Sequence, residues 1–136
     1  DRGQILDGLG DGREQIIDAR RRSRFEGSEP EPREGMRSGH IPGSLNLPFT
    51  EIVDQASQTL LAPDALRQRF EAEGLDLSRP VITSCGSGVT AGVLALGLHR
   101  LGHQDTAVYD GSWSDWGRPG DTPVETGPAG SAAASE

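Results

Sequence analysis

At 136 residues with 33% hydrophobic side chains, the chain has room for one domain and one aliphatic core. A formal charge of −8, with all 13 cationic residues arginine, disfavours nucleic-acid and anionic-membrane surfaces, and no apolar run approaches the roughly 20 residues of a spanning helix. A single cysteine excludes an internal disulfide and a cysteine-cluster metal site, which fits a reducing, cytoplasmic compartment; the N-terminus carries no signal-peptide pattern.

In chain order, residues 4–9 read as the tail of a short helix closed by Gly10. Residues 15–18 read as a strand ending in the polar triplet Asp18-Ala19-Arg20. Residues 21–39 show no apolar period and carry Pro30, Pro32 and the glutamates 29, 31 and 34, so they are expected to form a long functional surface loop. His40-Ile41-Pro42-Gly43 is a turn into a strand at 44–47. Residues 63–73 predict a helix with Leu66 and Phe70 on one face and Gly74 as its stop. The β-branched run 80–84 predicts a buried strand, and residues 91–101 a helix capped by Gly102. A strand at 106–109 leads through Asp110-Gly111 to a short helix that Ser112 caps and that carries Trp113 and Trp116. Periodicity ends after Gly117. The expected division is a domain over 1–126 and a small-residue disordered tail over 127–136. Strands alternating with helices imply a parallel sheet covered on both faces, with ligands at the carboxyl ends of strands, where Asp18, Cys85 and Asp110 fall.

Cys85 therefore sits in a tight strand-to-helix turn, Cys85-Gly86-Ser87-Gly88-Val89-Thr90. Two glycines let successive N–H groups form an anion nest, and the helix N-terminus adds positive potential. Such surroundings can bring a cysteine pKa from about 8.5 to roughly 3.5–7.5. The competing reading is a buried structural cysteine. On residues alone the turn would serve phosphate, metal or redox chemistry as well as sulfur.

Five segments together resemble the rhodanese-type sulfurtransferases: Asp18-Ala19-Arg20, the stretch from Arg24-Phe25 to Arg33, Gly39-His40-Ile41-Pro42-Gly43-Ser44, the Cys85 loop, and Tyr109-Asp110-Gly111-Ser112-Trp113. The resemblance implies a three-layer α/β/α fold with a mainly parallel sheet of four to five strands. Its neutral Gly-Ser-Gly loop is similar to that of the 3-mercaptopyruvate sulfurtransferases, since thiosulfate, a dianion, calls for a cationic loop. It implies that Cys85 is the persulfide-forming nucleophile, that Ser87 hydrogen-bonds the reacting sulfur or relays a proton, and that Gly86, Gly88, Val89 and Thr90 complete the loop, with Thr90 as cap of the following helix. Arg24 and Arg33 become a clamp for the substrate carboxylate. The other reading of these two arginines is pairing with Glu29 or Glu31.

The implied partners are a small sulfur donor and a thiol acceptor such as thioredoxin, or cyanide, with no cofactor and no metal. Two rhodanese domains are usual in members with this loop, so an N-terminal one is expected to be missing from this chain. Asp18 and His40 are expected to be structural, and His99 and His103 too few to hold a metal. The alternatives are thiosulfate as donor and a non-catalytic persulfide carrier. A phosphatase of the same fold needs an arginine six residues after the cysteine, where this chain has Ala91, and a His before it, where it has Ser84.

Overall fold

The computed structural model describes Ile5 and residues 15–28, 31, 35–54, 56–57, 59–86, 90–109, 112–118, 120 and 122–127. The expected helix over 4–9, Ile5 apart, lies outside them, as does the tail beyond 127. The elements are β1 (Gln15–Asp18), α1 (Arg22–Glu26), β2 (Leu45–Asn46), a 3-10 turn (Phe49–Ile52), β3 (Val53–Asp54), β4 (Thr59–Leu60), α2 (Pro63–Ala72), β5 (Val81–Ser84), α3 (Ala91–Arg100), β6 (Thr106–Val108) and α4 (Ser112–Trp116).

Four strands pair in parallel in the order β2-β1-β5-β6, with Ile16 opposite Ile82 and Asp18 opposite Ser84. Alternation along β1 and β5 sends neighbouring residues to opposite faces. Ile17 and Val81 join Leu66 and Phe70 of α2 and Leu94 and Leu98 of α3 in one core. Ile16 and Ile82 join Tyr109, Trp113 and Trp116 in the other. This is the three-layer α/β arrangement that the strand–helix alternation implies.

The helices follow from their sequences. Pro63 occupies the first turn of α2, where its missing N–H costs nothing, and Leu66 and Phe70, four apart, are fully buried. In α3, Ala91, Leu94 and Leu98 face the sheet. Gly97 of that helix is a close-approach position: a Cβ there would stand 3.2 Å from Ile52 Cδ1 and 3.4 Å from Phe70 Cε2.

Two expectations need correction, those for residues 21–39 and 44–47, and one strand pair was not anticipated. Residues 21–39 are not irregular throughout, because α1 forms within them; Phe25, its one apolar residue, is buried and stacks on His40 with ring centroids 3.7 Å apart. Residues 53–60 carry a small antiparallel pair, β3 with β4, separate from the main sheet. The strand expected over 44–47 is held to Leu45–Asn46, and beyond it the Leu47 and Phe49 N–H groups continue the hydrogen bonding to the carbonyls of Asp18 and Ala19.

Candidate active site

In this strand order the chain leaves β1 toward β2 on one side and leaves β5 toward β6 on the other, so a crevice opens between the carboxyl ends of β1 and β5. A cavity of about 410 Å³ lies there, lined by residues of three segments: Ala19, Arg20, Arg21 and Arg24 after β1, Pro48 to Thr50 after β2, and Gly86 and Thr90 after β5.

Cys85 precedes Gly86 in the chain and is not itself among the lining residues. It is fully buried and shares the core with Ile17, Ala19 and Ala91. Both backbone polar groups of Cys85 are taken by the start of α4: its N–H donates to Ser112 Oγ at 3.0 Å, and its carbonyl accepts from Trp113 N–H at 2.8 Å. The Ser112 hydroxyl also lies 2.7 Å from Tyr109 O and 3.9 Å from Cys85 Sγ. Its burial is what the competing reading of a structural cysteine describes, whereas a strand end beside an arginine-lined crevice is not the setting of an ordinary core residue.

Arg24 lines the cavity. Its Nε and Nη2 donate to Glu31 at 3.3 and 2.8 Å, the pairing that the alternative reading named. It also reaches the Cys85 turn, since a Cβ on Gly86 would stand 3.0 Å from Arg24 Nη2. Pairing with Glu31 and reaching the site are therefore compatible. Thr90 lines the cavity but is not the cap expected of it; it sits at the N-cap position of α3 in helical conformation (φ −76°, ψ −18°) without a side-chain capping bond. A capping side chain needs the extended backbone that Thr90 lacks. Ser87, Gly88, Val89, Arg33 and Asp110 lie outside the described residues.

Sequence reasoning missed the network that holds this wall. Asp18 accepts from Arg20 Nε and Nη2 at 2.8 to 3.1 Å and from Arg20 N–H at 2.9 Å. Arg20 also donates to Gly39 O at 2.7 Å, reaches Glu31 at 3.3 Å and lies over Trp113, 4.6 Å from the ring centroid. Glu31 thus bridges two guanidinium groups, with its side chain only 4% exposed. The i,i+2 spacing of Asp18 and Arg20 at a strand end, which places them on one face, was the available signal. The sequence marks Ser112 as a helix cap and as part of a motif, but nothing local links it to Cys85, 27 residues away.

The remaining side chains singled out are structural. His40 is fully buried, with Nδ1 donating to Phe25 O at 2.7 Å. His103 bonds Arg79 O and Thr106 Oγ1. No helix among the described residues is long and apolar enough to cross a membrane.

A family model described as a rhodanese-like domain matches residues 1–119. Thiosulfate/3-mercaptopyruvate sulfurtransferase 1, mitochondrial, of Arabidopsis thaliana is 49% identical over 90% of this chain and 32% of its own length. The 3-mercaptopyruvate sulfurtransferase of Escherichia coli K12 is 49% identical over 82% of this chain and 39% of its own. The crystal structure of SseA from Escherichia coli superposes with a TM-score of 0.69 at 40% identity, over 82% of this chain and 40% of that one. The chain spans about a third of the length of the curated relatives it matches (32% to 39% for these two). It belongs to the rhodanese-like domain family.

Proposed function

We propose that this chain is a sulfurtransferase domain that moves sulfur from 3-mercaptopyruvate to a thiol or to cyanide through a persulfide on Cys85, releasing pyruvate. The observation that carries this reading is the placement of a lone cysteine at the carboxyl end of β5, next to Gly86, which lines the cavity with Arg24. The names of its relatives support the choice of chemistry.

Cys85 thiolate attacks the substrate sulfur and the carbon–sulfur bond breaks. Its electron pair passes to the enolate of pyruvate, which takes up a proton, and Cys85 keeps the outer sulfur. An acceptor thiolate, from thioredoxin or a small thiol, then takes that sulfur and Cys85 leaves as thiolate. Backbone N–H groups of the turn containing Gly86, Gly88 and Val89 stabilise the charge on sulfur, as an oxyanion hole does on oxygen. Ser87 bonds the reacting sulfur or relays its proton. Arg24, joined by Arg33, holds the substrate carboxylate bidentately. We assign the catalytic unit to residues 1–126, the tail to 127–136 and the setting to a reducing cytoplasm, and infer that a second rhodanese-like domain covers the cavity mouth.

A second donor, thiosulfate, is favoured by three arginines, Arg20, Arg21 and Arg24, on one wall. The test is pyruvate release from 3-mercaptopyruvate by the wild-type chain and Cys85→Ser, with thiosulfate run in parallel. Turnover that Cys85→Ser abolishes, with an adduct of about 32 Da on Cys85, is the expected result. Equal rates in the two proteins would remove the nucleophile, and preference for thiosulfate would move the donor assignment.

A further inference from the structure

The start of α1 sorts its arginines by face. Residues three apart on a helix share a side, so Arg21 and Arg24 both line the cavity, whereas Arg22 turns away and meets Glu73 at 3.5 Å, at the end of α2. The carbonyl of Arg21 accepts the N–H groups of Arg24 and Phe25, at 3.1 Å each, which fixes its backbone where the helix begins. Depth separates the cations further. Arg20 is buried against Asp18 and Arg24 is half-buried against Glu31, but Arg21, like Thr50 of the 3-10 turn, is exposed. Arg21 and Thr50 therefore belong to the rim of the cavity, and no acidic residue is among the described residues that line it.

The two halves of sulfur transfer do not present their carboxylates at the same depth. The donor sulfur is the atom that Cys85 attacks. The acceptor sulfur attacks from beyond it, one S–S bond of about 2.05 Å further toward solvent. The carboxylate of an acceptor as long as the donor is displaced outward by the same amount, from Arg24 toward Arg21. We propose that Arg21 is a specificity-determining residue for the second half of the cycle, and that the acceptor class it selects is a small thiol carrying a carboxylate. The proposal rests on the reading of Cys85 as the nucleophile. The acceptor, entering as thiolate, forms a bond to the outer sulfur of the Cys85 persulfide, which keeps its proton. The Cys85 S–S bond breaks, its electron pair returns to Cys85 as thiolate, and the acceptor leaves as a persulfide. Arg21 takes no part in that exchange and holds only the carboxylate.

The test isolates that half. The full wild-type chain, Arg21→Gln and Arg21→Lys are loaded with 3-mercaptopyruvate, freed of donor, and mixed with 3-mercaptopropionate or with 3-mercaptopropanol, an acceptor of equal chain length without the charge. Loss of the adduct of about 32 Da on Cys85 is followed by mass spectrometry against acceptor concentration. Arg21→Gln is expected to raise the half-saturating concentration of the carboxylate acceptor about threefold to fivefold relative to that of the alcohol, the scale of an exposed ion pair, and Arg21→Lys to restore the wild-type ratio. A ratio that stays the same in Arg21→Gln would overturn the proposal. So would a defect confined to adduct formation, which would make Arg21 a donor residue. If the wild-type chain forms no adduct, the reading of Cys85 fails and takes the proposal with it, a result distinct from an unchanged ratio.

Discussion

Replacing Asp18 by Asn probes whether the cavity wall depends on its buried ion pair. Asp18 and Arg20 have side chains 4% and 1% exposed, and the carboxylate accepts both Nε and Nη2 of the guanidinium as well as the Arg20 N–H. An exposed pair of this kind would contribute under about 1 kcal/mol. Here water cannot replace the lost partner, and the Asn amide turns an N–H₂ group toward N–H donors. Breaking a buried pair on one side costs about 3–5 kcal/mol. For a chain of this size that corresponds to a fall in melting temperature of about 10–15 °C.

Glu31 and Gly39 O stay within reach of Arg20 and offset part of the cost, which places the expected loss near the lower end of that range. The assay is urea denaturation of wild type, Asp18→Asn, Arg20→Met and the double variant. The cycle should return a coupling energy of about 2 kcal/mol between the two residues. A single-variant loss below about 1 kcal/mol, or a coupling near zero, would refute the argument from burial.

Arg24→Ala and Arg33→Ala should raise KM for 3-mercaptopyruvate by about tenfold or more, the value of one charge-assisted contact, and by more than for thiosulfate. An unchanged ratio of the two KM values would dismiss the carboxylate clamp. Away from the site, hydrogen bonds from the Ser78 hydroxyl and backbone N–H hold the Asp76 carboxyl below the ordinary aspartate range. A folded-state pKa depressed in this way contributes stability that is present above the unfolded value and is lost as pH falls through the folded one. Ser78→Ala should move the Asp76 titration midpoint upward in an NMR pH series, and no movement would show that the hydroxyl does not matter.

The parts of the fold legible in the sequence are those with a regular apolar pattern, continuous in β5 and periodic in α3. β5 announces itself through Val81-Ile82-Thr83-Ser84, all buried, and α3 through Ala91, Leu94 and Leu98. By contrast, α1 is arginine-rich with Phe25 as its only apolar residue, so no period exists to be read. It is held by tertiary contacts, the Phe25 ring on His40 and the Phe25 carbonyl on His40 Nδ1. The same distinction runs through the site. Cys85, Gly86 and Arg24 are marked by local chemistry and motif, whereas Ser112 depends on where β6 delivers the chain. Thr90 shows the reverse failure, since residue type and position both suggest a cap and the backbone conformation forbids it.

The pairing of Arg24 with Glu31 bears on how a donor is recognised. Glu31 takes the Nε–Nη2 edge of the guanidinium, and the Nη1–Nη2 edge is the one turned toward Gly86, where an added Cβ would stand 3.0 Å from Nη2 and 3.7 Å from Nη1. A planar fork held by a carboxylate on one edge has a fixed orientation, which in the proposed mechanism lowers the ordering cost of binding a substrate carboxylate. Glycine at 86 is what lets that edge approach the cysteine turn. Glu31 is in turn fixed by Arg20, and Arg20 by Asp18 and the face of Trp113. The adjoining indole N–H donates to Arg37 O at 2.9 Å, while the Trp113 backbone N–H holds the Cys85 carbonyl. One continuous set of contacts therefore joins Arg24 to the backbone of Cys85, and in the proposed mechanism it orients both the carboxylate clamp and the sulfur. The distance between them is fixed by β1 and β5 pairing side by side, not by either loop alone.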